Sequence, residues 1–275
     1  MNPCVDAVLV EIADPRSIAA ISHYSHDARA TSIPLSIARQ YASVADGAED
    51  VIAANPDLVI AGPHASLQTI AALQRLGISL MQVGVPETVA ENQAQIAQIA
   101  ARIGRPAHGA ALNRRIDAAM AATRRPGAPV TALIWQGNGL VPGAGTLADT
   151  LLTHTGFHNI SPDIGLKNWD ILPLEGLLSH PPRALLTGRA DMVAGNADAS
   201  RMATHPALRH AAALGHGAAQ PGAPLTMAAY PSNLLHCGGP VIIRAVARMA
   251  AIRRSMDAAT LPPRAPSSQQ EPDRR

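Results

Sequence analysis

Residues 106–125, PAHGAALNRRIDAAMAATRR, restrict the fold more than any other stretch, because they read as one uninterrupted helix. Pro106 suits the first helical position, where the missing N–H has no intrahelical partner to lose. Gly104 closes the segment before it and Pro126-Gly127 stops it. Leu112, Ile116 and Met120 recur every fourth residue, while Arg114, Arg115 and Asp117 point elsewhere. Roughly twenty residues at about 1.5 Å each span about 30 Å, the width of a small domain. On either side, short apolar strands alternate with helices, the pattern of a parallel sheet. The expectation is an α/β protein: two lobes with parallel-sheet cores bridged by one long helix, with a ligand cleft between them. The first lobe is 1–105, the helix 106–125 and the second lobe 126–260.

In the first lobe the predicted helices are Pro3–Ile12, Ile33–Tyr41, Gly47–Asn55, Leu67–Leu76 and Glu87–Ile103. Its predicted strands are Ser17–Ser22, Leu58–Ala61 and Ile78–Val83. In the second lobe the strands are Val130–Trp135, His158–Ile160, Ala184–Thr187 and Leu225–Ala229. Its helices are Thr146–Thr155, Leu174–Ser179, Pro206–Leu214 and Pro240–Ser255, and 137–145 (GNGLVPGAG) reads as a Gly-rich loop. From Leu261 the chain is Pro, Ser, Gln and charge, which predicts a disordered tail over 261–275.

Several function classes are disfavoured by composition. The net charge is +2 with no run of cations, so no nucleic-acid footprint is present. No apolar run reaches the length of a membrane span. Two cysteines, Cys4 and Cys237, do not make a disulfide scaffold, and they can pair only if the fold brings both ends together.

One pattern occurs twice. Glu49 is followed seven residues later by Pro56, then Asp57 and LVIAG; Glu175 is followed seven residues later by Pro182, then Arg183 and ALLTG. Each unit is an acidic residue, a short amphipathic helix, a proline break, a buried strand and a glycine. Equivalent exposed helix starts on two related lobes follow, where an acidic side chain also suits the helix dipole.

The order of these motifs resembles that of the periplasmic substrate-binding proteins of ABC importers for iron complexes and vitamin B12. The resemblance is carried by Asn2-Pro3-Cys4 with Asp6, AEDVIAANPDLVIAG (48–62), GLVPGAGTLADTLL (139–152) with GFHNI (156–160), LPLEGLLSHPPRALLTG (172–188) and CGGPVIIRAV (237–246). It implies a monomeric binding protein, not an enzyme, that holds a ferric siderophore, haem or cobalamin between its lobes and has no resident cofactor. It implies an ABC permease and its ATPase as partners, and a periplasmic location. An acidic residue on each lobe, here Glu49 and Glu175, would meet arginines of the permease. The family also has a strand before Asn-Pro-Cys and a secretion signal before that. Neither is seen in this sequence, so the first lobe is expected to be a strand short.

In open α/β sheets, ligands sit at the carboxyl ends of strands. Those positions hold His23 and Tyr24, Pro63 and His64, Trp135, Gln136 and Asn138, and Arg189, with Asn2-Pro3-Cys4 after the absent strand. Trp169 and Tyr230 lie in loops able to reach the same cleft. Aromatics make up only 2% of the chain, and most fall outside predicted core positions, which suggests ligand contact. The alternative for Trp135 is that it caps the second core. The expected ligand-binding set is Pro3, Cys4, Tyr24, His64, Trp135, Gln136, Trp169, Arg189 and Tyr230. Arg189 suits a carboxylate or phosphate.

Two other functions compete. A receptor for free zinc or manganese would need three or four converging ligands, and the pairs His23/His26 and His154/His158 lack such spacing. An NAD-linked enzyme would use Gly143-Ala144-Gly145-Thr146-Leu147-Ala148 as a dinucleotide turn. Pro142 separates that stretch from its strand, and a tight turn into a helix explains it better.

Overall fold

The computed structural model describes residues 1–136, 139–188, 205–208, 210 and 225–260. The first lobe runs α1 (Pro3–Ile12), β1 (Ile21–Ser22), α2 (Leu35–Ala38), β2 (Ser43–Val44), α3 (Ala48–Ala53), β3 (Leu58–Ala61), α4 (Leu67–Arg75), β4 (Ser79–Gln82) and α5 (Val89–Arg102). The long helix α6 (Pro106–Thr123) leads into β5 (Val130–Ile134), β6 (Leu140–Pro142), α7 (Leu147–His154), β7 (Phe157–Asn159), β8 (Trp169–Ile171), α8 (Leu174–Ser179), β9 (Ala184–Thr187) and β10 (Thr226–Ala229). A C-terminal helix, Val241–Thr260, follows. The predicted helix Pro206–Leu214 lies largely outside the described residues, and the predicted tail wholly so.

The second lobe has a four-stranded parallel sheet in the order β10-β9-β5-β7. Strand residues alternate between faces. Ala132, Ile134, Ala184 and Leu186 join the core under the helical layer, while Leu133, Trp135 and Leu185 build a separate core on the other face. Burial on both sides is why these strands read as continuous apolar runs. The first lobe holds its strands as separate parallel pairs, β1-β2 and β3-β4.

The helical layer joins the two sheets. Gly109 of α6 lies so close to α5 that a Cβ there would sit 2.4 Å from the Ala100 methyl. Leu112 and Ile116 continue this buried face into a core shared by Val8 of α1, Ile60 of β3, Ile96 of α5, Ile134 of β5 and Met249 of the C-terminal helix. The long helix is therefore packed along its length rather than a free-standing strut.

The sequence repeat folds as a structural repeat. Helix α3 (6 residues) leads through 54–57 into β3 (4 residues), and α8 (6 residues) leads through 180–183 into β9 (4 residues). Glu49 and Glu175 both occupy the exposed first turn of their helices.

The shared core predicts joint loss of the lobes. Ile116→Ala is expected to cost about 2–5 kcal/mol. Thermal unfolding followed by circular dichroism should stay a single transition at lower temperature; separate transitions for the lobes would show that the core is not shared.

Candidate ligand-binding cleft

A cleft of about 800 Å³ opens between the lobes. Its lining comes from the first turn of α1, the 3-10 turn carrying Tyr24, the ends of β3 and β4, the start of α7, β8 and the segment 235–239. Strands β3 and β4 thus deliver their carboxyl ends to it, at Pro63–Ala65 and Val83–Glu87.

Asn2 caps α1, its Oδ1 accepting from the N–H groups of Cys4 and Val5 at 2.8 and 3.2 Å. The capping amide lies against the end of β3, where a Cβ on Gly62 would meet Asn2 Nδ2 at 2.2 Å. That contact explains the glycine closing LVIAG. Behind it, the buried Asp6 carboxylate accepts from Ser22 N–H at 2.9 Å and Ser25 Oγ at 2.7 Å, fixing the turn that presents Tyr24. Burial pushes the Asp6 carboxyl above its ordinary value, against the pull of these hydrogen bonds.

Cys4 and Cys237 form a disulfide with their Cα atoms 5.0 Å apart. The segment after β10 crosses back to the first lobe: Ser32 Oγ donates to Asn233 O, Arg244 donates to Ser32 O, and Cys237 and Val241 pack with Ala7, Ile21 and Ile33. This crossing holds His236 in the cleft with its ring 5.9 Å from that of Trp169. One edge of His236 faces solvent, but the surrounding walls desolvate it and lower its pKa below the ordinary 6.5. Desolvation thus favours its neutral form, the form that can accept a hydrogen bond or bind a metal centre.

Five of the residues expected at the ligand line this cleft: Pro3, Cys4, Tyr24, His64 and Trp169. Tyr24 and Trp169 are large apolar side chains left 44% and 40% exposed in a chain that has few aromatics. Three expectations need correction. Trp135 is buried at 1% exposure and donates its indole N–H to Leu172 O at 2.9 Å. Gln136 is buried too, donating to Tyr230 O at 3.1 Å. Tyr230 is fully buried, its hydroxyl donating to Leu234 O at 3.1 Å, and burial raises its pKa well above 10.0. For Trp135 and Gln136 the physical reason is an antiparallel ribbon, β6-β8, which the reading of 137–145 as a loop omits, while Tyr230 is buried in the core shared with Leu235 and Ile242. The ribbon covers the end of β5 and puts Leu140 and Trp169 at the cleft instead. Arg189 and Asn138 lie outside the described residues.

Polar residues that line the cleft outside the expected set include Asn92, His236, Asp46 and Glu87. Asn92 had a legible signal, since it extends the buried stripe of α5 one turn before Ile96. His236 adjoins the CGGP motif and carried no signal of its own.

The Gly143 stretch is a tight turn into α7. A Cβ on Gly143 would meet Leu166 O at 2.6 Å, Gly145 has φ +78°, and Thr146 caps the helix by accepting from Asp149 N–H. The pair His154/His158 separates as well: His154 contacts Met120 O and His158 contacts Asp163. Among the described residues no three of His, Cys, Asp or Glu converge as a metal site would require.

The family described as Periplasmic binding protein matches residues 1–218. The chain belongs to it. Membership makes it a binding protein and not an enzyme. Among solved structures it is similar to the periplasmic heme-binding protein RhuT from Roseiflexus sp. RS-1, at 20% identity over 91% of this chain and 96% of that one, with a TM-score of 0.70. It is similar to the heme-binding protein HutB of Vibrio cholerae at 18% identity, 91% and 96% coverage and TM-score 0.71. The vitamin B12 binding protein BtuF of Vibrio cholerae matches at 16% identity, 94% and 96% coverage and TM-score 0.67. These likenesses establish the two-lobed α/β fold. A search of curated proteins returned no match.

The burial difference between the two tryptophans is directly measurable. Aqueous acrylamide should quench the emission of Trp169 and spare that of Trp135. Trp135→Phe, losing its bond to Leu172, is expected to cost about 1 kcal/mol and retain the quenchable component. Loss of that component in Trp135→Phe would reverse the assignment.

Proposed function

We propose that this protein is the substrate-binding component of an ABC importer, capturing a chelated metal compound in the inter-lobe cleft and delivering it to a membrane permease. The ligand class is a ferric siderophore, haem or cobalamin. The observation that carries the reading is the pair of exposed aromatics, Tyr24 and Trp169, set into an otherwise largely apolar cleft of about 800 Å³. Exposed rings in a concave apolar site favour an organic ligand of appreciable size over a hydrated ion. His64 and His236 on the same lining supply imidazoles within the site. The structural neighbours named for heme and vitamin B12 support the class. A disulfide between Cys4 and Cys237 suits the oxidising periplasm.

Titration of the purified protein with haemin, cyanocobalamin, a ferric siderophore and zinc tests the reading, with thermal shift as the readout. One of the chelates should stabilise the fold and zinc should not. Tyr24→Ala and Trp169→Ala should each weaken that binding about tenfold, or about 1.4 kcal/mol. Tight binding of bare zinc, lost on replacing His64, would favour the free-metal receptor instead.

Glu49 and Glu175 are the proposed permease contacts. They stand at matching helix starts, one per lobe, and away from the cleft lining. Exposed ion pairs contribute only about 0.2–1 kcal/mol each, so their main effect is on encounter rate and register. The double variant Glu49→Ala, Glu175→Ala should keep ligand affinity and lose most uptake in vesicles reconstituted with the permease. Normal uptake would reduce them to helix-start residues.

A further inference from the structure

Asn92 is 2% exposed and lies at the base of the cleft, on the first turns of α5. Its Oδ1 accepts from Gly239 N–H at 2.7 Å. Since that partner is a donor, the carboxamide has only one orientation that satisfies it, and Nδ2 is turned the other way. Nδ2 is buried and has no hydrogen-bond partner among the described residues. A buried donor left unmatched is destabilising, so a partner that supplies an acceptor gains from meeting it.

The surroundings are built around this amide. A Cβ on Gly238 would meet Asn92 Oδ1 at 2.3 Å, and one on Gly239, at φ +63°, would meet Val8 Cγ2 at 2.8 Å. Both glycines of CGGP are therefore required by the close approach to Asn92 and α1. The disulfide at Cys4–Cys237 holds the same turn.

The electrostatics select the kind of acceptor. Helices α1, α7 and the C-terminal helix all present their N-terminal ends to the cleft, through Asn2–Val5, Thr146–Ala148 and Gly238–Gly239. Cys4, Val5 and Gly239 already donate their N–H groups to Asn2 and Asn92, but the positive dipole ends of the three helices still favour an electronegative oxygen. Asp46 and Glu87 lie on the same lining and oppose a full negative charge. An uncharged carbonyl oxygen satisfies both conditions, accepting from Nδ2 without adding charge.

We infer that Asn92 is a ligand-binding residue, donating its side-chain amide to an uncharged carbonyl oxygen on the ligand. This rests on the chelate-binding reading above and narrows it to chelates that carry neutral amide groups rather than carboxylates.

The experiment compares two uncharged amide-bearing probes, cyanocobalamin and a ferric trihydroxamate, with two anionic ones, haemin and a ferric tricatecholate. Each is titrated against the wild type and Asn92→Asp, which keeps the acceptor for Gly239 N–H and replaces the donor by an oxygen. At least one uncharged probe should bind the wild type at least tenfold tighter than either anionic probe. Asn92→Asp should lose that affinity by about tenfold or more while its far-UV circular dichroism at the titration temperature stays that of the folded wild type. Wild-type binding that favours haemin or the tricatecholate would overturn the inference and leave the chelate-binding reading standing. Equal affinity of Asn92→Asp would overturn the role of Asn92 alone. Binding of none of the four would remove both. Should Asn92→Asp not fold, a crystal structure of the wild-type complex decides: a ligand carbonyl oxygen at about 2.7–3.2 Å from Nδ2 upholds the inference, and its absence there overturns it.

Discussion

The approach of α6 to α5 at Gly109 and Ala100 is the contact on which the rest of the molecule depends. It brings two helices together without side-chain bulk and lets Leu112 and Ile116 reach Ile96, Ile99 and the sheet residues beyond. Small side chains at such a crossing shorten the interaxial distance. Because both lobes bury apolar surface in that layer, the walls of the cleft are set by packing rather than by linker geometry. Alternative lobe arrangements would require reopening the core, which interiors packed at crystal-like density resist.

The cleft is made from chain ends as much as from strand ends. In the first lobe the rule of carboxyl-end binding holds well, through the segments after β3 and β4. In the second lobe the antiparallel ribbon interposes itself, so the strand ends become interior and the ribbon offers Trp169. The segment 235–239 completes the floor from the far end of the sequence. Ligand contacts thus come from residues that no single local motif contains.

This explains what the sequence could tell a reader. Strands β3 and β9 and helix α8 coincide with their predicted bounds, because a proline break, a continuous apolar run and a closing glycine mark them locally. The ribbon strands have only three residues each, one lying between two glycines and the other starting after Asn168, and show no usable alternation. Their pairing is a tertiary fact, and missing it misplaced Trp135 and Gln136, while Tyr230 was misplaced because its burial depends on the C-terminal helix packing over the sheet. Asn92 was legible as a polar residue on an apolar stripe, but its unpaired amide became visible only once Gly239 was seen to occupy the other end. Tyr24 and Trp169 could be singled out because aromatic residues are so scarce in this chain.

The return crossing also fixes an order of events during folding. The core of the first lobe around Ile21 and Ile33 is closed by Cys237 and Val241, and Ser32 is bonded to both Asn233 and Arg244. Contacts of such long sequence separation form late, because chain entropy must be lost before they can form. A ribosome that has made only the first lobe has therefore made an incomplete one, with apolar positions still open to solvent. The first-lobe core stays open to proteases until the segment carrying Cys237, Val241 and Arg244 is available to close it.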